Sequence, residues 1–376
     1  MSDDILNVEE GVQTPEEGVQ TPVAEAPAPA QNEKKYKPGV GVDVGTSNIV
    51  VARQTEDGTF VNRFHRDMLY PLDVSEEAVD LLDRSDYLYV KVGKKYYIVG
   101  EDALRLVNAI GRGEVVRPMQ DGILNPNLKE SSELLFYIIK AVVGDPIVPN
   151  EPLRFSVPAN PVDRDLDNKF HEMVLKSFFT QMGYDAKPVN EAMCVAYDCA
   201  PMAKTDEGDM PLTGIAISCG GGMTNVALCL KGMNLNAFSI TKSGDYIDEQ
   251  ASKVTGVQSS KIIKQKEKNL DLGSFDMSDR VLAALRIYYQ ETINRIIHHM
   301  TTEFKSTNAE VDGEIEIVIA GGTSMPKGYC DMFKECLEDS EFPFDVWQVR
   351  HSKSPFYSVS QGSCIRAQAD FRKKNK

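Results

Sequence analysis

No two cysteines in this sequence stand in a C-x-x-C spacing. The seven, at positions 194, 199, 219, 229, 330, 336 and 364, are odd in number and scattered. A disulfide framework needs pairs, so reduced and mostly buried thiols are expected. Cys194/Cys199 and Cys330/Cys336 have no histidine nearby, which argues against a metal at either pair. Long apolar runs are also missing: nothing approaches the roughly 20 residues that cross a bilayer. Met1–Asp4 does not open a secretory signal, and a cytoplasmic chain without an integral membrane segment is expected. Positive charge is scarce. The 41 Lys and Arg against 56 Asp and Glu leave a net charge of −15, the wrong sign for binding nucleic acid or anionic lipid by bulk electrostatics. Residues 1–33 hold no Lys or Arg and eight acids, so about half of the excess sits there. Tryptophan is almost absent, and the single Trp347 reads as packing.

What is present begins with a repeat. EEGVQTP occurs at 9–15 and again at 16–22, and PVAEAPAPAQ follows. Such a composition buries too little apolar surface to offset the entropy of ordering. Residues 1–37 are therefore expected to form a disordered acidic tail, a solubilising segment or an arm that recruits a partner protein.

Order is expected from Gly39. GVGVDVGTSNIVVARQ (39–54) reads as strand, tight turn, strand. Further strands are expected at Tyr87–Val92, Tyr96–Val99 and 153–159, with helical periodicity at Glu130–Val143, Asp167–Met182 and Asn190–Cys199. A second glycine-broken strand pair, GIAISCGGGMTNVALCLKG, fills 214–232. A long amphipathic helix is expected over Ser278–Phe304, then a strand at Glu316–Ala320 that runs into Gly321 and Gly322. The adjacent His298 and His299 point to different sides of that helix and cannot chelate one metal; one reads as surface and one as core. Strand-turn-strand followed by helices occurs twice, which predicts two similar α/β halves in tandem.

A turn rich in glycine lets an anion approach backbone N–H groups without a Cβ in the way. Gly45, Thr46, Ser47 and Asn48 form one such turn, and Gly220, Gly221, Gly222, Met223 and Thr224 form another. Two facing hairpins would clamp a polyphosphate, and Asp43 could hold a magnesium ion through its water shell. A third turn, IVIAGGTSMPKG (317–328), would let a nucleoside lie against the backbone at Gly321, Gly322 and Thr323, with Met325 and Lys327 behind.

Together these segments resemble the superfamily of actins, seventy-kilodalton heat-shock proteins and sugar kinases over residues 39–370. GVDVGTSNIV and AISCGGGMTNVAL resemble its two phosphate motifs, and VIAGGTSMPKG its adenosine motif. VNEAMCVAY (189–197) and VSQGSCIRAQA (359–369) resemble its connecting helices. YIVGEDALRL (97–106), PMQDGILNP (118–126) and KSGDYIDE (242–249) are similar to segments of the bacterial actins of the MreB and MamK kind.

The resemblance implies an actin-like fold: two ribonuclease-H-like α/β domains around a nucleotide cleft, each with a smaller sub-domain. Their bounds would be 38–190 plus 355–376, and 191–354. It implies bound ATP or ADP with magnesium, and head-to-tail assembly of identical subunits into filaments. Glu191 takes the position of the catalytic acid or amide. From SSKIIKQKEKN (259–269), Lys264 and Gln265 would flank the base, with Glu267 as the alternative. Two departures stand out. Ser218 and Asn225 occupy positions where the family usually carries aspartate, and Met223 replaces a small or hydroxylated residue. Slow ATP hydrolysis is the expected consequence. The competing reading is an actin-fold adaptor that keeps a structural nucleotide and does not polymerise.

Overall fold

A computed structural model describes residues 35–72, 82, 84, 87–93, 95–110, 115–199, 204–205, 208–209, 211–274, 276–307, 311 and 313–374. Both EEGVQTP repeats, and all of the expected 1–37 tail before Lys35, lie outside the described residues. Ordered pairing starts slightly before Gly39, because Tyr36 forms an antiparallel bridge with Thr55.

The first glycine-broken pair folds as β1 (Val40–Val44) and β2 (Asn48–Gln54), followed by β3 (Phe60–Arg66). A small antiparallel sheet comes next, from β4 (Leu69–Leu72), β5 (Tyr89–Val92) and β6 (Lys95–Val99), with helix α1 (Glu101–Ile110) after it. The chain returns through a two-stranded hairpin, β7 (Met119–Gln120) and β8 (Ile123–Leu124), to α2 (Ser131–Val143). Strands β9 (Pro152–Val157) and β10 (Asp185–Asn190) are parallel and joined through α3 (Lys169–Gln181), the helical crossover that parallel pairing requires. The resulting sheet has the order β10-β9-β1-β2-β3.

The second half repeats this plan. After α4 (Glu191–Asp198) and the short strands β11 (Lys204–Thr205) and β12 (Gly208–Asp209) come β13 (Gly214–Cys219), β14 (Thr224–Leu230) and β15 (Met233–Ile240). Helices α5 (Gly244–Thr255), α6 (Ser259–Asn269) and α7 (Arg280–Thr307) lead to β16 (Ile315–Ala320). Then follow α8 (Tyr329–Glu338), β17 (Val346–His351) and α9 (Ser358–Lys374). The sheet order is β15-β14-β13-β16-β17, strand for strand the same arrangement as the first. The tandem pattern in the sequence is thus realised as two matching mixed sheets. Strands β9, β13 and β16 are buried at every position, which is why they lack a polar alternation.

Helix α7 buries Leu285, Tyr289, Ile293, Ile296, Ile297, Met300 and Phe304, as its three-to-four spacing predicts. His298 is exposed and His299 half-buried. Trp347, read as packing, is instead half-exposed on the edge strand β17. All seven cysteines are free; six are buried and Cys330 is half-buried. Helix α9 fits between β1 and α4 by means of two glycines. A Cβ on Gly362 would overlap the Cys194 carbonyl, and one on Gly41 would overlap the Ser360 carbonyl.

His171 on α3 is 2% exposed, and among the described residues neither ring nitrogen has a hydrogen-bond partner. Burial pushes its pKa down to about 4. Since the folded value lies below the unfolded value of about 6.5, the unfolded state gains protons first. Stability from this residue is therefore lost as pH falls from about 6.5 towards 4. Asp43 and Asp198, pushed up to about 6 by burial, act in the opposite sense. Comparison with His171→Leu cancels those two contributions. Urea unfolding should show the variant gaining about 2 kcal/mol on the wild type between pH 7 and pH 5; a constant difference would refute the assignment.

Candidate functional site

Three glycine turns from different parts of the chain meet around one cavity of about 530 Å³. Gly45, Thr46, Ser47 and Asn48, between β1 and β2, line one side. Gly220, Gly221, Gly222 and Met223, between β13 and β14, line the other. Gly321, Gly322, Thr323 and Met325, after β16, close the far end. The N–H groups of Thr46, Ser47, Gly221 and Gly222 meet no acceptor among the described residues. Unpaired N–H groups on facing turns make a cradle for an anion.

The turns are packed against one another without side chains. A Cβ on Gly222 would lie 2.5 Å from both Thr46 Oγ1 and Gly122 N, and one on Gly221 would run into Ser47 Oγ. Gly122 belongs to the β7–β8 turn, and its N–H donates to Thr46 Oγ1 at 3.0 Å. Met223 is 3% exposed and lies over Gly122, so it fills the gap between this turn and the second hairpin. The second hairpin is also pinned from behind. Ser243 Oγ and Thr323 Oγ1 each donate to the Gly220 carbonyl at 2.7 Å. Thr224, expected to face the ligand, is fully buried against Ser243 Oγ at 2.9 Å and does not line the cavity. It props the hairpin because it is already the first residue of β14.

Besides Glu267 on α6, two carboxylates line the cavity, those of Asp43 and Glu191. Asp43 accepts from Ser156 Oγ at 2.8 Å, while Ser156 Oγ accepts from Val44 N at 3.1 Å. Glu191 is the first residue of α4, set there by Asn190, whose Oδ1 accepts from Met193 N at 3.1 Å. Burial raises the pKa of both acids, to about 6 for Asp43 and well above the usual range for Glu191. The charge of Asp43 adds to the shift of Glu191, and the amide of Asn225, 2.8 Å from Glu191 Oε2, opposes it. Ser218 also lines the cavity, and it pairs across the hairpin with Asn225.

On α6 the sequence placed Lys264 and Gln265 at the cavity. The structure places Glu267, the alternative, there with Lys266 and Lys268, and not Lys264 or Gln265. The two-residue difference turns the helix by more than half a circle. Lys266 is committed to the buried Asp248 at 2.6 Å. Glu267 takes a bidentate pair from Arg66 at 3.0 and 3.1 Å, and Arg66 also donates to Glu101 at 3.0 Å. Arg66 ends β3, so this pair spans the cavity from one sheet to the helices of the other half. Tyr289 also lines the cavity, and its buried hydroxyl has no partner among the described residues.

The sequence reading missed Ser156, Arg66, Gly122 and Ser243, and also Phe356, which lines the cavity. Only Gly122 carried a local signal, the Asp-Gly of a tight hairpin turn. Among the described residues no three Asp, Glu, His or Cys side chains gather as a metal cage. No helix among them is long and apolar enough to cross a membrane.

The sequence model of the family described as Volactin matches residues 39–367. A search of the curated proteins finds no match. Among solved structures the chain is similar to "MamK double helical filament", with TM-score 0.63 and 21% identity over 87% of this chain and 97% of that one. It is similar to MreB5 of Spiroplasma citri bound to ADP, with TM-score 0.61 and 14% identity over 90% of this chain and 99% of that one. It is also similar to the ethanolamine utilization protein EutJ of Carboxydothermus hydrogenoformans, with TM-score 0.51 and 14% identity, covering 91% of each chain. The fold is actin-like.

Proposed function

The chain belongs to the Volactin family, and we propose that it binds ATP with magnesium in this cavity, hydrolyses it slowly and assembles with itself into a cytoplasmic filament. One observation carries the reading: three glycine turns and the acids Asp43 and Glu191, from segments far apart in sequence, line a single cavity. Its volume, about 530 Å³, lies within the usual range for small-ligand sites. Solved relatives of the fold lend support, since MreB5 was determined with ADP and with AMPPNP, and MamK as a double helical filament.

In this reading residues 38–190 with 355–376 form one domain and 191–354 the other, hinged at α4 and α9. The free N–H groups of the turns hold phosphate oxygens. Gly321, Gly322 and Thr323 receive the nucleoside, with Met325 behind, and the unpartnered hydroxyl of Tyr289 is a donor at that end. Magnesium, when bound, would supply positive charge to the phosphates, and Asp43 would hold it through its water shell. Ser156 keeps Asp43 aimed at that position. Glu191 accepts a hydrogen bond from the attacking water and orients it. The raised pKa values of the two acids fit a site that expects a cation. Serine at 218, where the resemblance leads one to expect an aspartate, leaves the cavity one carboxylate short, which is the basis for slow turnover.

Ser218, uncharged on the cavity wall, is also the observation that favours a second reading, a scaffold with a structural nucleotide and no polymer. Ultracentrifugation of the purified chain with ATP, ADP or no nucleotide separates the two. Sedimentation that depends on ATP, with phosphate release slower than the filament forms, is the expected result. A chain that stays in the supernatant under all three conditions is a scaffold. If millimolar ATP leaves the melting temperature unchanged, nucleotide binding itself is wrong, because ligand at 100 times its Kd should add about 2.7 kcal/mol.

A further inference from the structure

We propose that Asn225 is the positioning residue for Glu191, holding one carboxylate oxygen so that the other is presented to the cavity. The proposal rests on the hydrolytic reading above and assigns this position a role that a missing acid would not have.

Asn225 is fully buried, and the direction of its amide is fixed. Its Oδ1 lies 3.0 Å from the backbone N–H of Ala159, which can only donate. The NH₂ end must therefore face Glu191, and it donates to Oε2 at 2.8 Å. Among the described residues Oε1 of Glu191 has no hydrogen-bond partner. The side chain sits on the cavity wall, so Oε1 is the oxygen available to a water there.

Three pieces of the fold meet at this amide. Ala159 follows β9 of the first sheet, Asn225 lies in β14 of the second, and Glu191 opens α4 between them. A glutamate has three rotatable bonds, and its helix cap fixes only the backbone. The amide removes the remaining freedom and couples the carboxylate to both sheets. An aspartate at 225 would still accept from Ala159, but it would set a second carboxylate about 3 Å from Oε2, beside Asp43. Like charges that close share a proton and lose their orientation. The amide thus gives Glu191 a donor where a carboxylate in this setting would give it a competitor.

The test is a swap. Asn225→Asp keeps the acceptor for Ala159 and removes only the donor to Glu191. It should lower phosphate release by about 10-fold or more, leave binding of a fluorescent ATP analogue within about twofold, and lower the melting temperature of the nucleotide-free protein. In a Glu191→Gln background the new glutamine amide can donate to the new aspartate, restoring the bond in reverse. The double variant should regain the lost melting temperature while releasing phosphate no faster than Glu191→Gln alone. Phosphate release that rises in Asn225→Asp, or falls by the same factor in both backgrounds, overturns the proposal. So does a melting temperature that the second substitution does not restore. Should the wild type bind ATP yet release no phosphate, hydrolysis is wrong, and the melting temperatures alone decide whether Asn225 holds Glu191.

Discussion

Gly362→Ala should destabilise this protein by about 3 kcal/mol or more, although helix propensity predicts the opposite. Gly362 lies inside α9, and in an exposed helix alanine is favoured over glycine by roughly 0.5–1 kcal/mol. Packing reverses the sign. The added Cβ would overlap the carbonyl oxygen of Cys194 and crowd its carbonyl carbon and Cα. These are backbone atoms of α4, so no side chain can turn aside. The helices would have to separate, and α9 is held on its other face by β1, where Gly41 has the same close approach to Ser360 and Cys364. Separation also exposes Cys194 and Val195, both fully buried. Chemical denaturation of the variant beside the wild type reads the effect. Equal or greater stability would mean that α9 and α4 do not cross as closely as described.

The second large effect belongs to Gly222→Ala, and it concerns ligand affinity. The position does not have a left-handed backbone, so alanine is conformationally acceptable and only space opposes it. Its Cβ would lie 2.5 Å from Gly122 N and Thr46 Oγ1, and 3.0 Å from the carbonyl carbon of Asp121. The second hairpin would have to retreat from the first, opening the cradle whose N–H groups are proposed to hold the phosphates. Displacement on that scale costs on the order of 100-fold in affinity, about 2.8 kcal/mol. A fluorescent ATP analogue titrated into variant and wild type gives the number. With melting temperatures equal and affinities within twofold, the two hairpins could not be the clamp.

Much of this arrangement was legible before any coordinates. The glycine turns announced themselves, because a break of Gly and Thr inside a β-branched run leaves the backbone few options. The long helix α7 announced its buried face by its period. Glu191 was legible through its segment's likeness to a connecting helix. Of the residues that α6 brings to the cavity only Glu267, the alternative, was legible, since a slip of two positions moves a helical residue to another face. Lys264 and Gln265 fell on the wrong side of that slip. Thr224 looked like a ligand contact because it follows three glycines, but the strand had already begun and turned it into the core. Asn225 read as a lost charge, whereas the fold makes it a donor.

From the sequence alone came the positions where the chain must turn tightly, the strands that flank those turns, and the repetition of one α/β plan. Each is governed by local sterics or by burial of the residues concerned, and so is written in neighbouring letters. Which polar groups meet was decided only in three dimensions. Ser156 reaches Asp43 across 113 positions, Arg66 reaches Glu267 across 201, and Asn225 reaches Glu191 across 34. Hydrogen bonds of about 3 Å demand a register between sheets and helices that no stretch of sequence specifies by itself. The packing of α9 between β1 and α4, through Gly41 and Gly362, ties the two halves together at that register.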